Sequence, residues 1–346
     1  MLEQAKVERD RTELSWNGKR KFRIARRVIE NEAGDICSFY LAPHDERPVP
    51  SFHPGQFLTF ELPIPGEPQP VVRCYSLSDS PHENYYRVSI KRQGAPPKAP
   101  EGTPPGLSSN YFHDQLQEGD IVEAMAPSGG FYLNEESERG VVLIGGGVGL
   151  TPVVSMLNSL IAHGSNREIW FFYGIRNGAE HAMAEHLRAI DRAHANVHLV
   201  VCYSRPSETC REGEDYHQQG FVSVELFKSL LDSNNYEFYI CGPPPMMDMV
   251  TQELGEWGVP EEHINFEAFG PATVKKTQEP TTGADAAATV EVVFAKSNQT
   301  LNWAPDAGTL LEFGEANGIR MNSGWRSGGC GTCLTALKEG EIEYVH

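Results

Sequence analysis

The sequence has no long apolar run, and this absence excludes a membrane-spanning helix. None of its 346 residues lies in a stretch of roughly 18 consecutive apolar residues, the length that crossing a bilayer needs. The first residues, Met1–Asp10, are charged and lack the apolar centre of a secretory signal. We therefore expect a cytoplasmic protein with no membrane span.

The sequence is also short of positive charge. Lys and Arg number 29 against 47 Asp and Glu, which gives a formal net charge of −18. This balance excludes nucleic acid or an anionic membrane surface as the main partner, because both repel an acidic protein. It would suit a basic docking face on a redox partner protein, although surface acids commonly serve only to keep a protein soluble.

Cysteines are few, odd in number and scattered, so the sequence does not indicate a secreted disulfide framework. Two of the seven, Cys330 and Cys333, lie in a loop close to C-x4-C-x2-C, a pattern that holds a [2Fe-2S] cluster together with one distant cysteine. Trp325 stands at the first ligand position, and its indole offers a metal no lone pair. No cysteine follows Cys333. The loop therefore indicates electron transfer but lacks its first and fourth ligands; half of a zinc site or a dithiol is the alternative interpretation.

Before this loop, the sequence divides into regions with different patterns of apolar residues. Residues 17–135 alternate short apolar stretches with Pro- and Gly-rich turns, which predicts an antiparallel β-barrel. Residues 136–270 alternate apolar strands with segments of helical spacing, beginning with Val141–Ile144, and predict a doubly wound α/β domain. Residues 271–288 are small, polar and Pro/Gly-bearing, as in a linker. Residues 289–346 carry a predicted hairpin, a short helix and the cysteine loop.

A glycine-rich segment, Gly145–Pro152, follows the strand Val141–Ile144 and opens a helix. Glycines let backbone N–H groups approach a diphosphate, and a helix N-terminus supplies partial positive charge. Pro152 fits the first helical turn, where a missing N–H costs nothing. In this context the segment predicts nucleotide binding, with a purely structural turn as the alternative.

Upstream, Arg73-Cys-Tyr-Ser76 combines groups that suit a flavin nucleotide. An arginine neutralises phosphate, a tyrosine covers an aromatic ring, and a serine hydroxyl bonds the ring edge. The alternative is a purely structural strand that carries one exposed arginine. Val88–Arg92 and the hydroxyl-rich turn Gly106–Asn110 add weight to the flavin interpretation, because the turn suits a second phosphate contact.

Five short motifs follow one another in a fixed order. They are Arg73-Cys-Tyr-Ser76, Gly106-Leu-Ser-Ser-Asn110, Gly145-Gly-Gly-Val-Gly-Leu-Thr-Pro152, Cys241-Gly-Pro-Pro-Pro245 and Glu267-Ala-Phe-Gly270. With them the chain resembles the ferredoxin–NADP reductase superfamily, above all the reductase part of flavohaemoglobins and oxygenase reductases with an appended ferredoxin. The resemblance implies an antiparallel FAD-binding β-barrel, an NAD(P)-binding α/β domain and a partial β-grasp ferredoxin-like tail.

The resemblance implies roles around FAD for the matching residues of the barrel. Arg73 would bind the FAD diphosphate, Tyr75 would pack against the flavin ring, and Ser76 would act as a catalytic residue near flavin N5. Phe269 would cover the other face of the ring. Further cofactor-binding residues are Ser89, Lys91, Gly106, Ser108 and Ser109.

The resemblance also implies a pyridine-nucleotide site. Gly147, Gly149 and Thr151 would cradle the nucleotide, and Cys241, as a small catalytic thiol, would flank the nicotinamide together with Gly242. Further coenzyme-binding residues are Gly145, Ser204, Arg205 and Pro243. Ser204, Arg205 and Arg176 would suit the 2′-phosphate of NADPH, whereas the likeness of Tyr173–Arg176 to flavohaemoglobin reductases favours NADH.

Three functional hypotheses follow. In the first, an NAD(P)H-dependent FAD oxidoreductase passes electrons one at a time through a [2Fe-2S] module to a partner such as an oxygenase or haem protein. In the second, the enzyme works with flavin alone, because Cys330 and Cys333 cannot complete a four-ligand set. In the third, residues 289–346 serve only docking, although seven acidic against four basic residues is a mild bias.

Overall fold

The computed structural model describes residues 16–95, 105–269, 289–304, 307–319 and 337–340. Its first unit is an antiparallel sheet of six strands in the order β4-β3-β6-β1-β2-β5. The strands are β1 Lys19–Ile29, β2 Ile36–Pro43, β3 Phe57–Leu62, β4 Val71–Ser76, β5 Tyr86–Lys91 and β6 Ile121–Met125. A bridge between Leu77 and Val88 joins the two edges, and the Ser78 N–H donates to the Arg87 carbonyl at 2.9 Å. These links close the sheet into the predicted barrel.

One helix, α1 (Leu107–Asp114), closes an end of the barrel. The sequence predicted only a turn at Gly106–Asn110, and the helix continues beyond it because its apolar side packs into the barrel core. Phe112 is fully buried and meets Phe39 and Phe60 edge-on, with ring centroids 5.1 and 5.3 Å apart. The barrel core therefore fixes the first turn of α1 against the sheet.

The second unit is a parallel sheet in the order β10-β9-β8-β7-β11-β12. Its strands are β7 Gly140–Gly146, β8 Ile169–Ile175, β9 Val197–Tyr203, β10 Gln218–Gln219, β11 Tyr236–Gly242 and β12 Ile264–Ala268. Its helices are α2 Leu150–Ala162, α3 Ala184–Ala193, α4 Val224–Leu230 and α5 Pro244–Glu256. The strand order reverses between β7 and β11, and ligands of such sheets bind at the carboxyl ends of the strands there.

Both faces of this sheet are buried, as the continuous apolar run of β7 predicted. Val141 and Leu143 lie in one apolar core and Val142 and Ile144 in the other. Helix α3 begins at Ala184, because Met183 has a left-handed φ of 56°, which interrupts a helix.

Barrel and parallel sheet are joined by hydrogen bonds. Asp79 of the barrel receives the Ser155 hydroxyl at its carbonyl (2.6 Å) and the Asn158 amide at its carboxylate (2.8 Å). Elsewhere the Met183 N–H donates to the Glu30 carbonyl at 3.0 Å. The short 3-10 turn Gly147–Gly149, which follows β7, lies against β5 of the barrel. The carboxyl edge of the parallel sheet therefore faces the barrel.

The tail forms the predicted hairpin and short helix: β13 Val290–Phe294, β14 Gln299–Trp303 and α6 Leu310–Ala316. Phe294 and Phe313 approach with ring centroids 6.4 Å apart. The predicted linker and the loop with Trp325, Cys330 and Cys333 lie outside the described residues. Within the described ranges, no helix has both the length and the apolar character needed to cross a membrane.

Candidate active site

Arg73 and Tyr75 lie on one face of β4 and Cys74 and Ser76 on the other, since side chains alternate along a strand. Tyr75 packs edge-on against Phe112 at 5.3 Å, and its hydroxyl donates to the Ser108 Oγ at 3.3 Å. Burial raises the pKa of Tyr75 to about 12, so the phenol stays neutral. The phenol thus ties β4 to the first turn of α1.

The first turn of α1 has the features of an anion site. It contains no acidic side chain, and no side chain of the described residues caps its N–H groups. Gly106 is required here, because a Cβ would lie 2.6 Å from the Cβ of Gln93. The Ser109 hydroxyl accepts the Gln93 N–H and donates to the Gly106 carbonyl, both at 3.1 Å, which holds the turn open. With the exposed guanidinium of Arg73 on β4, the barrel offers two kinds of phosphate donor.

Ser76 ends β4 and is 3% exposed, and its Oγ has no hydrogen-bond partner among the described residues. Leaving a buried hydroxyl unpaired costs about 1–3 kcal/mol, so such an atom calls for a ligand. The hydroxyl is therefore available to a group bound beside β4.

The glycine turn after β7 is shaped by close backbone contacts. A Cβ on Gly149 would overlap the carbonyl oxygen of Cys241 and lie 2.7 Å from the Gly242 nitrogen. Gly147 has a φ of +54°, and a Cβ there would meet no described residue within 4 Å, so its surface is open. The Thr151 hydroxyl donates to the Val148 carbonyl at 3.1 Å. The turn presents bare backbone, which suits a diphosphate.

The predicted coenzyme residues beside this turn pack against one another. A Cβ on Gly146 would lie 2.6 Å from Pro243, and one on Gly145 would lie 3.1 Å from the Cα of Leu150. Gly242 is equally tight, since a Cβ there would lie 3.0 Å from the Cα of Gly146. Glycine is therefore needed at both strand ends so that β7 and β11 can approach each other.

Cys241 lies at the carboxyl end of β11 and is completely buried. Burial raises the pKa of its thiol well above the usual range, so the group is neutral, and the Glu267 carboxylate acts in the same direction. Cys241 and Glu267 are register partners on β11 and β12. Glu267 belongs to a quoted motif but received no role from the sequence; its burial beside the cleft appears only once the strands pair.

Phe269 connects the two units. It packs against the apolar core that contains Cys241 and also against Phe57 and Cys74 of the barrel. Cys74 and Ser76 lie on the same face of β4. Ser76 of the barrel and Cys241 of β11 therefore border one cleft.

Two predicted cofactor residues have side chains engaged within the protein. The Ser89 hydroxyl bonds Ser38 at 2.6 Å and Ser78 at 2.8 Å in a buried hydroxyl chain. The Lys91 ammonium pairs with Asp35 at 3.3 Å and Glu180 at 3.6 Å. Their strand β5 nevertheless adjoins the glycine turn.

Ser204 and Arg205 follow β9 at the carboxyl edge of the sheet. Their N–H groups donate to the carbonyls of Ile175 and Arg176, at 2.9 and 2.8 Å. The structure thus brings the three predicted 2′-phosphate residues, Ser204, Arg205 and Arg176, to one edge.

This site fits FAD and a pyridine nucleotide. The unpaired hydroxyl of Ser76, the uncapped turn of α1 and the open surface at Gly147 each supply what those nucleotides need. A barrel and a parallel sheet that share such a cleft define an NAD(P)H-dependent flavin oxidoreductase. Within the described residues no cluster of His, Cys, Asp and Glu could hold a metal ion.

Comparisons with known proteins agree with this class. The oxidoreductase NAD-binding domain family matches residues 143–252, and the 2Fe-2S iron-sulfur cluster binding domain family matches residues 293–346. The flavohaemoprotein of Halalkalibacterium halodurans is 41% identical over 74% of this chain, and the match spans 61% of that protein's length.

Two solved structures extend the likeness. The flavohaem-like FAD/NAD-binding domain of nitric oxide dioxygenase from Vibrio cholerae O1 biovar El Tor is 30% identical with a TM-score of 0.64, covering 73% of this chain and 99% of that domain. Phthalate dioxygenase reductase, described as modular for electron transfer from pyridine nucleotides to [2Fe-2S], is 27% identical with a TM-score of 0.60 over 94% of this chain and 88% of its own. The chain belongs to the ferredoxin–NADP reductase superfamily, with a reductase of the flavohaemoprotein type.

Proposed function

We propose that the chain is an NADH-dependent FAD oxidoreductase that delivers electrons one at a time to a partner redox protein, an oxygenase or a haem protein. The observation that carries the proposal is Phe269, which packs on both the Cys241 core and the Phe57–Cys74 pair of the barrel. The flavin side and the coenzyme side of the cleft are thereby held against each other. Transfer between two stacked rings depends on such positioning more than on an acid or base.

On the barrel side, we assign the FAD diphosphate to Arg73 and the first turn of α1. Charge-assisted bonds from a guanidinium and from helix N–H groups suit that group. Tyr75 would pack against the flavin, and Ser76 would donate its unpaired hydroxyl to the ring edge. FAD, when bound, supplies the conversion of a two-electron donor into a one-electron donor.

On the coenzyme side, we assign the nucleotide diphosphate to the open backbone at Gly147, in the tight turn that Gly149 permits. Cys241, a neutral thiol smaller than most side chains, leaves room for the nicotinamide, and Gly242 adds no side chain. Glu267, buried beside Cys241, is a carboxylate at the same wall.

The exit route of the electrons distinguishes two candidates. The family match over residues 293–346 and the likeness to phthalate dioxygenase reductase over 94% of the chain favour a relay through the tail. Trp325 favours a direct exit from FAD, because an indole cannot take the place of the first thiolate. The donor set of this loop does not fit a four-thiolate cluster, so we assign no step to it.

Anaerobic titration of the FAD-loaded protein with NADH tests the proposal. Loss of the visible flavin band and subsequent reduction of cytochrome c, a one-electron acceptor, are expected. An intact flavin band in excess NADH and NADPH would refute the proposal. Iron and sulfide counts per chain, with the spectrum after deletion of residues 289–346, decide between the two exit routes.

A further inference from the structure

Glu180 lies between two cations that belong to different units of the protein. Its carboxylate accepts from Arg176 at 2.8 Å, and it pairs with Lys91 of the barrel at 3.6 Å. The side chain of Glu180 is 19% exposed, whereas that of Arg176 is 60% exposed. Lys91 has a second anion, Asp35, at 3.3 Å. Arg176 and Lys91 are therefore both neutralised by carboxylates.

This chain of ion pairs adjoins the coenzyme turn. Tyr173 on β8 donates its hydroxyl to the Gly147 carbonyl at 3.2 Å. Lys91, which pairs with Glu180, lies on β5, and this barrel strand adjoins the same glycine turn. The Glu180 charge therefore lies near the turn where we assign the nucleotide diphosphate.

The same carboxylate reaches the edge where a 2′-phosphate would have to bind. Arg176 runs alongside Ser204 and Arg205, since the Arg205 N–H donates to the Arg176 carbonyl at 2.8 Å. Arg176, at that edge, is held by Glu180. Arg205 is exposed and has no ion pair to the described residues. Arg205 is thus free to bind an anion, whereas Arg176 is not.

NADH and NADPH differ only in the 2′-phosphate of the adenosine ribose. In dinucleotide-binding sheets an acidic residue after a strand accepts from the ribose hydroxyls, whereas arginines accommodate the phosphate. A carboxylate at this edge repels a dianionic phosphate and occupies the arginine that would bind it. Both effects weaken the binding of NADPH, and neither weakens the binding of NADH.

We propose that Glu180 is the residue that makes this enzyme specific for NADH, by neutralising Arg176 and repelling a 2′-phosphate. This inference rests on the proposed function, because it concerns the coenzyme of the same site. The ion pair from Glu180 to Lys91 also links the two units, so the test must separate a coenzyme effect from a structural one.

The test compares Glu180→Gln with the wild type in the FAD-loaded full chain. Glutamine keeps the size of the side chain and removes its charge. We expect the ratio of kcat/KM for NADPH to that for NADH to rise by about tenfold or more, measured with ferricyanide as acceptor. Calorimetry should show the same direction without turnover: 2′-AMP binds more tightly to the variant, and 5′-AMP binds equally to both.

Glu185→Gln is the matched control, since Glu185 is 80% exposed, pairs with Arg188 at 3.0 Å and lies on the neighbouring helix α3. It should leave the ratio unchanged. A second variant, Glu180→Ala, removes the same charge without leaving an amide in its place and should raise the ratio in the same direction; it provides the test if Glu180→Gln does not fold.

Three results would overturn the inference: a wild type that prefers NADPH, an unchanged ratio in both variants, or an equal loss with both coenzymes. The last result would mean that Glu180 only joins the two units. A wild type whose FAD neither coenzyme reduces would instead refute the proposed function itself.

Discussion

The two walls of the cleft are built by opposite means. The coenzyme wall consists of backbone: Gly147 presents an open surface, and Gly149 touches the Cys241 carbonyl with no room for a Cβ. On the barrel side we assign side chains: the exposed Arg73 guanidinium and the buried, unpaired Ser76 hydroxyl. Substitutions that add atoms should therefore impair binding at the coenzyme wall. Substitutions that remove atoms should impair binding at the barrel wall.

The largest effect is expected from adding one methyl group to the coenzyme wall. In Gly149→Ala the new Cβ overlaps the Cys241 carbonyl, and backbone atoms cannot rotate away as a flexible side chain can. Overpacking costs typically about 1–3 kcal/mol of the free energy of unfolding, and a displacement near 1 Å lowers a positioned reaction by roughly 100-fold. Stopped-flow reduction of bound FAD by NADH measures the rate, and urea unfolding measures the stability.

Gly255→Ala is the control for Gly149→Ala. Gly255 lies inside α5 and would meet nothing within 4 Å, so alanine should stabilise the helix by roughly 0.5–1 kcal/mol and leave the rate unchanged. Equal rates for Gly149→Ala and the wild type would show that the coenzyme does not use this turn.

The same contrast explains what the sequence could predict. The glycine turn was predictable because its signals are local: a buried strand, glycines and a helix start. Strand β12 was not predicted, since Ile264–Ala268 is a short edge strand with a weak pattern. The roles of Glu267 and Glu180 could not be predicted, because each depends on a partner that only the folded chain brings near.

The next effect is expected from removing charge at the barrel wall. Arg73 is exposed, and among the described residues its guanidinium donates only to the Val72 carbonyl, at 2.7 Å. Arg73→Ala should therefore weaken FAD binding by about 10- to 100-fold, because a charge-assisted phosphate contact contributes roughly 1.5–3 kcal/mol, with little loss of stability. Equilibrium dialysis of FAD checks this. Arg47→Ala, at another exposed barrel arginine, should bind FAD as the wild type does.

Lowering the pH should affect the stability of the two units to different degrees. Burial lowers the pKa of His181, in the parallel-sheet unit, to about 3, whereas an unfolded histidine titrates near pH 6.5. Between these values the unfolded chain holds a proton that the folded chain does not, so stability falls as pH falls below about 6.5. From pH 7 to 5 the loss is about 2 kcal/mol for this one group.

Urea unfolding of His181→Gln at pH 7 and pH 5 measures the contribution of His181. On acidification the free energy of unfolding of the variant should fall by about 2 kcal/mol less than that of the wild type. His113→Gln is the barrel counterpart. Burial lowers the pKa of His113 in the same direction, and we expect a smaller change from its removal. An identical pH dependence in His181→Gln and the wild type would refute the account of His181.

The smallest effect is expected at Ser76. Ser76→Ala removes a hydroxyl that has no partner in the described protein, so it should leave the free energy of unfolding nearly unchanged. The rate of FAD reduction should fall by roughly tenfold, the loss of about one hydrogen bond. Ser78→Ala is the matched control: its hydroxyl bonds Ser89 at 2.8 Å, so that variant should lose stability of about 1 kcal/mol.

Anaerobic mixing of NADH with the FAD-loaded wild type, Gly149→Ala and Ser76→Ala tests most directly whether both walls face one flavin. If both walls face one flavin, the wild-type flavin should bleach rapidly, Gly149→Ala should lose much of the rate and Ser76→Ala less, with FAD retained in all three. Full flavin content with unaltered bleaching rates in both variants would contradict it.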